Sequence, residues 1–411
     1  MTKIYKLILI LLIFQSDYYP QNNFQFGADL LLTDYFHLIK NKKLGIVTNH
    51  TAVLSNGAHL VDALHEIKDV EVTTLFGPEH GIRGDNSAGQ HITHSVDTKT
   101  GIPVYSLYGK DKKPTKEMLK DVDALIFDIQ DIGARFYTYI STLYYTIQSA
   151  AENNIPVIVL DRPNPINGIY VDGPIRKPEL SSFVGIAPLP IAHGMTVGEL
   201  ANYFVGEKLI GDNLKVDLHV IKMKYWDRKF YHDKFCPRWT NPSPNIPSLE
   251  TAIVYPGTCL IEGTNVSEGR GTDSPFLTIG TPFINSTELI EELNKNDLSG
   301  ISLEPISFTP REIPGVANNP KYKDELCSGI KIKVIEREKF ESVKFGIKLI
   351  VALHKLHPSE FIFRDNSFDR LCGDKSVQQK ILDGISSEKI IDEFQTELAD
   401  FKEIRKKYLL Y

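Results

Sequence analysis

Glu79, His80, Arg83 and Asp85 stand together on one glycine-rich stretch, TTLFGPEHGIRGD (73–85), among Gly77, Gly81 and Gly84. An acid, a base and a cation placed just after a β-rich apolar run are more than a chain connection needs. Three further apolar runs end in the same way. TNHT brings Asn49 and His50. DIQDIGARFYTY brings Asp128, Gln130, Asp131, Arg135 and Tyr137. DRPNPING brings Asp161, Arg162, Asn164 and Asn167. Asp and Asn after a strand commonly cap a helix or make a turn, which accounts for any one of these loops taken alone. It does not account for Arg83, Arg135 and Arg162, which have no capping role there. Four such loops together read as a binding site.

The chemistry is narrowed by what these loops lack. GPEHGIRG is not a dinucleotide fingerprint, GRGTDSP lacks a strand-then-helix context, and neither a P-loop nor a GxSxG elbow occurs. His80, His91 and His94 fit solvated loop residues better than a metal set, so neither a metal nor a cofactor is expected. Carboxylates with arginines, amides and aromatics suit an acidic carbohydrate. Glycosidic cleavage commonly needs a carboxylic acid that protonates the leaving oxygen and a second group that stabilises an oxocarbenium-like centre. Glu79 is the candidate acid. Asp128 and Asp131 are candidates for a second carboxylate or for hydroxyl contacts. His80 either tunes the proton affinity of Glu79 or bonds to backbone. Among Phe136, Tyr137, Tyr139, Tyr144 and Tyr145, most read as helix-face core and a minority as a platform for a sugar ring.

The elements that must position these groups follow from the pattern. LGIVT (44–48), VEVTTLF (70–76), the weaker IPVYSLY (102–108), DALIFDI (123–129) and IPVIVLD (155–161) are short, mostly apolar runs. Helical segments separate them, including TKEMLKDV and ISTLYYTIQSAAENN. Such runs without strict alternation indicate a parallel sheet covered on both faces, so the expected fold is α/β, a Rossmann-like, doubly wound, mostly parallel sheet. The ends of its strands share one edge, where ligands bind. From about 281 the pattern changes to helices around an alternating strand, GIKIKVIE, closing with one long amphipathic helix over 386–410. The expected division is a catalytic domain over 26–280 and a smaller α+β auxiliary domain over 281–411.

Composition sets wider bounds. The chain has 411 residues, a net charge of −6 and no long basic stretch, so nucleic acid is not an expected partner. Lys3 and Lys6 precede the apolar run Leu7–Phe14, too short to span a bilayer but suited to a secretory signal. Residues 1–16 are therefore expected to be a signal peptide. The mature chain is expected in the periplasm or outside the cell, with no stable membrane insertion. Cys236, Cys259, Cys327 and Cys372 are spaced too irregularly for a zinc site and read as unpaired thiols.

Together GPEHGIRG, FDIQDIGARFYTY, LDRPNPING, PIAHGMTVGEL and NPSPNIPSLETAIVYPGTCLIEGTNVSEGRGTDSPF resemble the NamZ-type exo-β-N-acetylmuramidases, over about 26–411. The resemblance implies a Rossmann-like domain joined to an auxiliary domain with the active site in a cleft between them. It implies release of terminal N-acetylmuramic acid from the non-reducing ends of peptidoglycan fragments. It places the family's PEHG glutamate on Glu79. N-acetylmuramic acid carries a lactyl carboxylate that N-acetylglucosamine lacks. An arginine facing it would be left unpaired by the neutral sugar. Arg83, Arg135, Arg162 and Arg270 are the candidates. Glu262 and Glu268, beside Arg270, are further candidates for the second carboxylate. A route in which the substrate's 2-acetamido group attacks the anomeric carbon is equally open. The alternative from another class is a non-catalytic periplasmic binding protein for acidic amino sugars, which would leave its ligand intact.

Overall fold

The computed structural model describes residues 24–84, 95–236 and 238–411. The signal-like run at 1–16, Asp85, His91 and His94 lie outside the described residues. Among the described residues seven strands form one sheet: β1 (Lys43–Thr48), β2 (Glu71–Gly77), β3 (Ser95–Val96), β4 (Pro103–Ser106), β5 (Ala124–Asp128), β6 (Val157–Leu160) and β7 (Leu218–Ile221). Their order is β3-β4-β2-β1-β5-β6-β7, and every pairing is parallel except β3 with β4. The apolar runs became central strands because both faces are covered; β5 and β6 are buried along their whole length.

β1 lies between β2 and β5, so the sheet grows one way from β1 and then the other. That reversal opens a crevice beyond the carboxyl ends of the strands. Here Thr48 is in register with Asp128. Chain-order helices α1 (Gly27–Leu31), α2 (Leu60–His65), α3 (Tyr139–Asn153) and α4 (Val197–Gly206) pack around this sheet. α3 buries Tyr139, Ile140, Leu143, Ile147 and Ala150, the spacing of one helical face. It stops at Asn154, which takes the left-handed conformation (φ 54°) that asparagine tolerates at a helix end.

A second sheet is antiparallel, with β8 (Thr278–Thr281), β9 (Ile301–Phe308) and β10 (Cys327–Val334) in the order β8-β10-β9. The remaining helices are α5 (Leu249–Thr258), α6 (Ser286–Leu293), α7 (Ser342–Leu356), α8 (Ser367–Cys372), α9 (Lys375–Leu382), α10 (Ser387–Glu393) and α11 (Gln395–Lys406). The expected division at 280/281 falls inside β8, so the second sheet begins earlier than the composition suggested. α5 already packs on the auxiliary side: the Gly257 N–H donates to Ser342 Oγ at 2.9 Å, and a Cβ at Gly257 would lie 1.8 Å from the Ser342 carbonyl oxygen. Only glycine permits that approach.

Two expected helices differ. TKEMLKDV is a succession of turns, because burying Leu119 and Val122 needs no full helix and so short a segment nucleates poorly. The last helix is two, α10 and α11, separated where the buried Phe394 takes φ −90° and ψ 0°. The four cysteines are free thiols, three of them buried.

Candidate active site

β2 delivers Glu79. After Gly77 the chain turns through Pro78 and Glu79, and then His80 and Gly81 both take positive φ, 74° and 73°. A histidine in that region is uncommon, and such backbone is held only where its surroundings fix it. The turn leaves Glu79 half-buried and His80 buried, both on the wall of a 240 Å³ cavity.

The rest of that wall comes from five places in the chain, one of them Val184 alone. Tyr108 follows β4. Phe136, Tyr137 and Tyr139 lie where β5 runs into α3. Ser243, Asn245 and Ile246 precede α5. Tyr255, Glu262, Arg270 and Phe276 come from α5 and the segment after it. The cavity therefore lies where the first sheet meets the auxiliary part.

Its apolar side is a chain of edge-on rings. Tyr137 meets Tyr139 at 4.9 Å between centroids, Phe136 meets Tyr255 at 5.4 Å, and Tyr255 meets Phe276 at 4.7 Å. Such contacts fix ring planes. Of the expected aromatics, Phe136, Tyr137 and Tyr139 line the cavity; Tyr144 and Tyr145 sit elsewhere on α3.

One hydroxyl of this wall meets the acid directly. Tyr108 is hydrogen-bonded to Glu79, and burial together with the Glu79 charge pushes the phenol up to about 12. Burial and the same charge also raise Tyr139, whose hydroxyl donates to the Pro242 carbonyl at 2.8 Å. Burial raises Tyr137 as well. All three phenols therefore stay protonated; Tyr108 donates to Glu79 and Tyr139 to Pro242, while the buried Tyr137 hydroxyl has no partner among the described residues. Tyr108→Phe is expected to lower kcat on the order of tenfold with KM nearly unchanged, because the carboxyl loses its orienting partner. Steady-state kinetics of the variant check this; an unchanged kcat would show that Tyr108 does not position the acid.

The polar side is built on Arg270. Its guanidinium donates to Glu262 Oε1 through Nη2 at 2.5 Å and through Nε at 3.1 Å, and it lies 3.5 Å from Glu268. It also stacks over Phe276 at 5.1 Å. Burial acts to lower the Arg270 pKa, but the charges of Glu262 and Glu268 outweigh it and raise it. The side chain keeps 28% of its surface open. Asn245 is buried on the same wall. Its Nδ2 donates to the Val316 carbonyl at 2.7 Å, and its Oδ1 has no hydrogen-bond partner among the described residues. That oxygen can accept an amide N–H.

The other expected site residues are placed off this cavity, each for a definable reason. Asp128 and Arg162 neutralise one another at the adjacent ends of β5 and β6; Arg162 Nη2 donates to Asp128 Oδ2 at 2.9 Å, with the side chains 0% and 2% exposed. Asp128 is thus a buried brace and not a second carboxylate facing the cavity. Arg83 is taken up by Asp62 and Asp97, at 2.9 and 2.7 Å. Arg135 is wholly buried and donates to the carbonyls of Pro174, Leu189 and Leu371; burial pulls its pKa down to about 10. None of these three arginines faces the cavity.

The amides and remaining acids shape loops. Gln130 donates to the carbonyls of Asp131 and Pro163. Asp131 accepts from the Gly133 N–H at 2.7 Å and lies 3.5 Å from His193. Asn164 holds its own loop and donates to the Met195 carbonyl. Asp161 accepts from Thr196, from the Gly198 N–H that opens α4, and from the Tyr411 hydroxyl; burial pushes it up to about 7. Asn49 binds Thr51 and stands beside the Tyr139 hydroxyl, behind the wall. Glu268 faces the neighbouring groove and pairs with Lys321 at 3.0 Å.

Of the expected residues, then, Glu79, His80, Tyr137, Glu262 and Arg270 share one hollow. Tyr108 and Asn245 were not anticipated. Asn245 lies within NPSPNIPS, a proline-rich stretch whose rigidity was the available signal; Tyr108 carried none.

Comparison with known proteins follows the same division. Residues 44–250 match the model described as exo-β-N-acetylmuramidase NamZ, N-terminal, and 253–411 match its C-terminal counterpart. Over 388 residues, 94% of this chain and 91% of the other, the sequence is 50% identical to the peptidoglycan β-N-acetylmuramidase NamZ of Bacillus subtilis (strain 168). Two crystal structures of DUF1343 family proteins from Bacteroides fragilis NCTC 9343 are similar. One has a TM-score of 0.87 at 33% identity, covering 95% of this chain and 100% of that one. The other has a TM-score of 0.75 at 36% identity, covering 95% and 99%.

Proposed function

The chain belongs to the NamZ exo-β-N-acetylmuramidase family, and from that membership and its cavity we propose that it is a glycoside hydrolase releasing terminal β-N-acetylmuramic acid from the non-reducing ends of peptidoglycan fragments. One observation carries the reading: Glu79 and the Glu262–Arg270 pair line the same 240 Å³ cavity. In this reading Glu79, steadied by Tyr108, gives its proton to the glycosidic oxygen as the bond breaks. Of the carboxylates considered for the second role, Glu262 is the one that shares the cavity with it. The rings of Phe136, Tyr137 and Tyr139 receive the apolar face of the sugar, and Asn245 Oδ1 accepts from the 2-acetamido N–H.

Arg270 takes the lactyl carboxylate, with Glu262 and Phe276 holding the guanidinium in place. A site built around a charged partner rejects an analogue lacking it, because the cation is left unpaired. Arg270→Ala is therefore expected to reduce the preference for a chromogenic β-N-acetylmuramide over the matching glucosaminide by at least roughly a hundredfold. The ratio of kcat/KM values for the two substrates measures this, and an unchanged ratio removes Arg270 from the role.

The reading itself is tested with the unmodified protein. It should liberate N-acetylmuramic acid from the muramide; a protein that binds the glycoside and returns it intact is a binding protein instead. Export to the periplasm or the medium belongs to the proposal on the strength of the charged and apolar pattern of residues 1–16. Cell fractionation of the expressed chain tests it.

A further inference from the structure

A second hollow of 720 Å³ adjoins the first, and Glu262 and Arg270 line both. The two acidic and basic side chains are thus a partition with a space on either side. Asn245 ties the spaces together a second time, since it lines the first and its Nδ2 holds the Val316 carbonyl on the wall of the other.

The larger hollow is formed by two loops pinned to the backbone that carries the partition. The loop through Val316 to Lys321 is fastened by Lys321 Nζ, which donates to the carbonyls of Ile261 and Val266 at 3.0 and 2.8 Å and pairs with Glu268. The Arg311 N–H donates to the Gly271 carbonyl at 2.9 Å, and a Cβ at Gly271 would lie 2.3 Å from the Arg311 carbonyl oxygen. The loop through Ile362 to Ser367 is fastened by the Arg364 N–H to the Gly263 carbonyl at 2.8 Å and by a bridge between Thr264 and Phe363. The groove is preformed.

Its surface mixes two chemistries. Ile362 exposes 59% of its surface on one side, an apolar face with nothing over it. Asn318, Asn319 and Arg364 present amides and a guanidinium beside it. Pyranose rings are recognised by this pairing, an apolar ledge for the axial hydrogens with hydrogen-bonding groups at its margin. Asn319 holds φ at 52°, a left-handed turn conformation that asparagine tolerates.

We infer that this groove is the binding site for the leaving side of the glycan, taking the N-acetylglucosaminyl residue next to the cleaved bond on Ile362 and the amides, and the following acidic muramyl residue beside Arg364. The inference rests on the hydrolytic reading of the first cavity and extends it. At 240 Å³ the smaller hollow is too small for an extended glycan, and the chain beyond the cleaved bond has to continue somewhere; the groove across the Arg270 partition is the adjoining space with the right surface.

The test compares two substrates on the full-length protein. A nitrophenyl β-N-acetylmuramide reaches only the first cavity, whereas a tetrasaccharide of alternating N-acetylmuramic acid and N-acetylglucosamine reaches both. Ile362→Asp and Arg364→Ala alter exposed side chains. Each is expected to lower kcat/KM for the tetrasaccharide on the order of tenfold, with the nitrophenyl glycoside within about twofold of wild type. Equal effects on both substrates, or none on either, overturn the inference. Titration calorimetry with the disaccharide N-acetylglucosaminyl-β-1,4-N-acetylmuramic acid gives a readout that needs no turnover. Binding weakened by both variants supports the groove, and unchanged binding overturns it. If wild type cleaves neither substrate the hydrolytic reading fails, and the calorimetry still decides the groove.

Discussion

Glu79→Gln is expected to lower kcat for an oligosaccharide by roughly 10²–10⁴, the usual worth of a positioned general acid. Glutamine keeps the shape of the side chain and its bond to Tyr108, so the cavity and the affinity for product should change little. What it cannot do is release a proton to the glycosidic oxygen. That difference makes a sharper experiment than loss of activity alone. A dinitrophenyl aglycone departs without protonation, so the variant should be impaired far less on the dinitrophenyl muramide than on a sugar leaving group. A deficit of the same size on both substrates would mean that Glu79 contributes something other than the proton.

The second large effect is on stability. Arg162→Met leaves Asp128 charged and fully enclosed at the end of β5, without the two hydrogen bonds it now accepts. Removing one partner of a buried ion pair typically costs ~3–5 kcal/mol. Urea unfolding should show a loss of that order for Arg162→Met. The double variant Asp128→Asn/Arg162→Met should recover much of it, since no charge is then stranded, and the coupling between the two sites follows from the cycle. A single-variant loss below about 1 kcal/mol would show that water reaches Asp128 after all.

These two cases mark how far the sequence could be read. The alternation of apolar runs and helices contains the parallel sheet, because burial on both faces leaves no other pattern for β1, β2, β5 and β6. Parallel strands then force the loops after them onto one edge, and Glu79 stands in the cavity at that edge. Which polar residues on the edge remain free for a ligand is a question of pairing between neighbours. Asp128 and Arg162 are distant in sequence, and only the adjacency of β5 and β6 brings them face to face. Arg83 similarly meets Asp62 and Asp97 across three segments. Residue type alone counts all of these as binding groups. Conversely, Arg270 differs from the other arginines through the cavity it faces, and Tyr108 follows so short a strand that nothing periodic singles it out.

Arg135 has a mechanical consequence. Its guanidinium holds carbonyls from three separate stretches, the last of them Leu371 in α8, and Gly373 at φ 84° leaves the room it occupies, since a Cβ there would come within 2.6 Å of Nη2. Swinging the two family halves apart about residues 250–253 would strip a desolvated cation of an acceptor it cannot replace. Arg135 therefore braces the two family halves against one another from inside the core, off the wall of the cavity that Glu79 and Arg270 line.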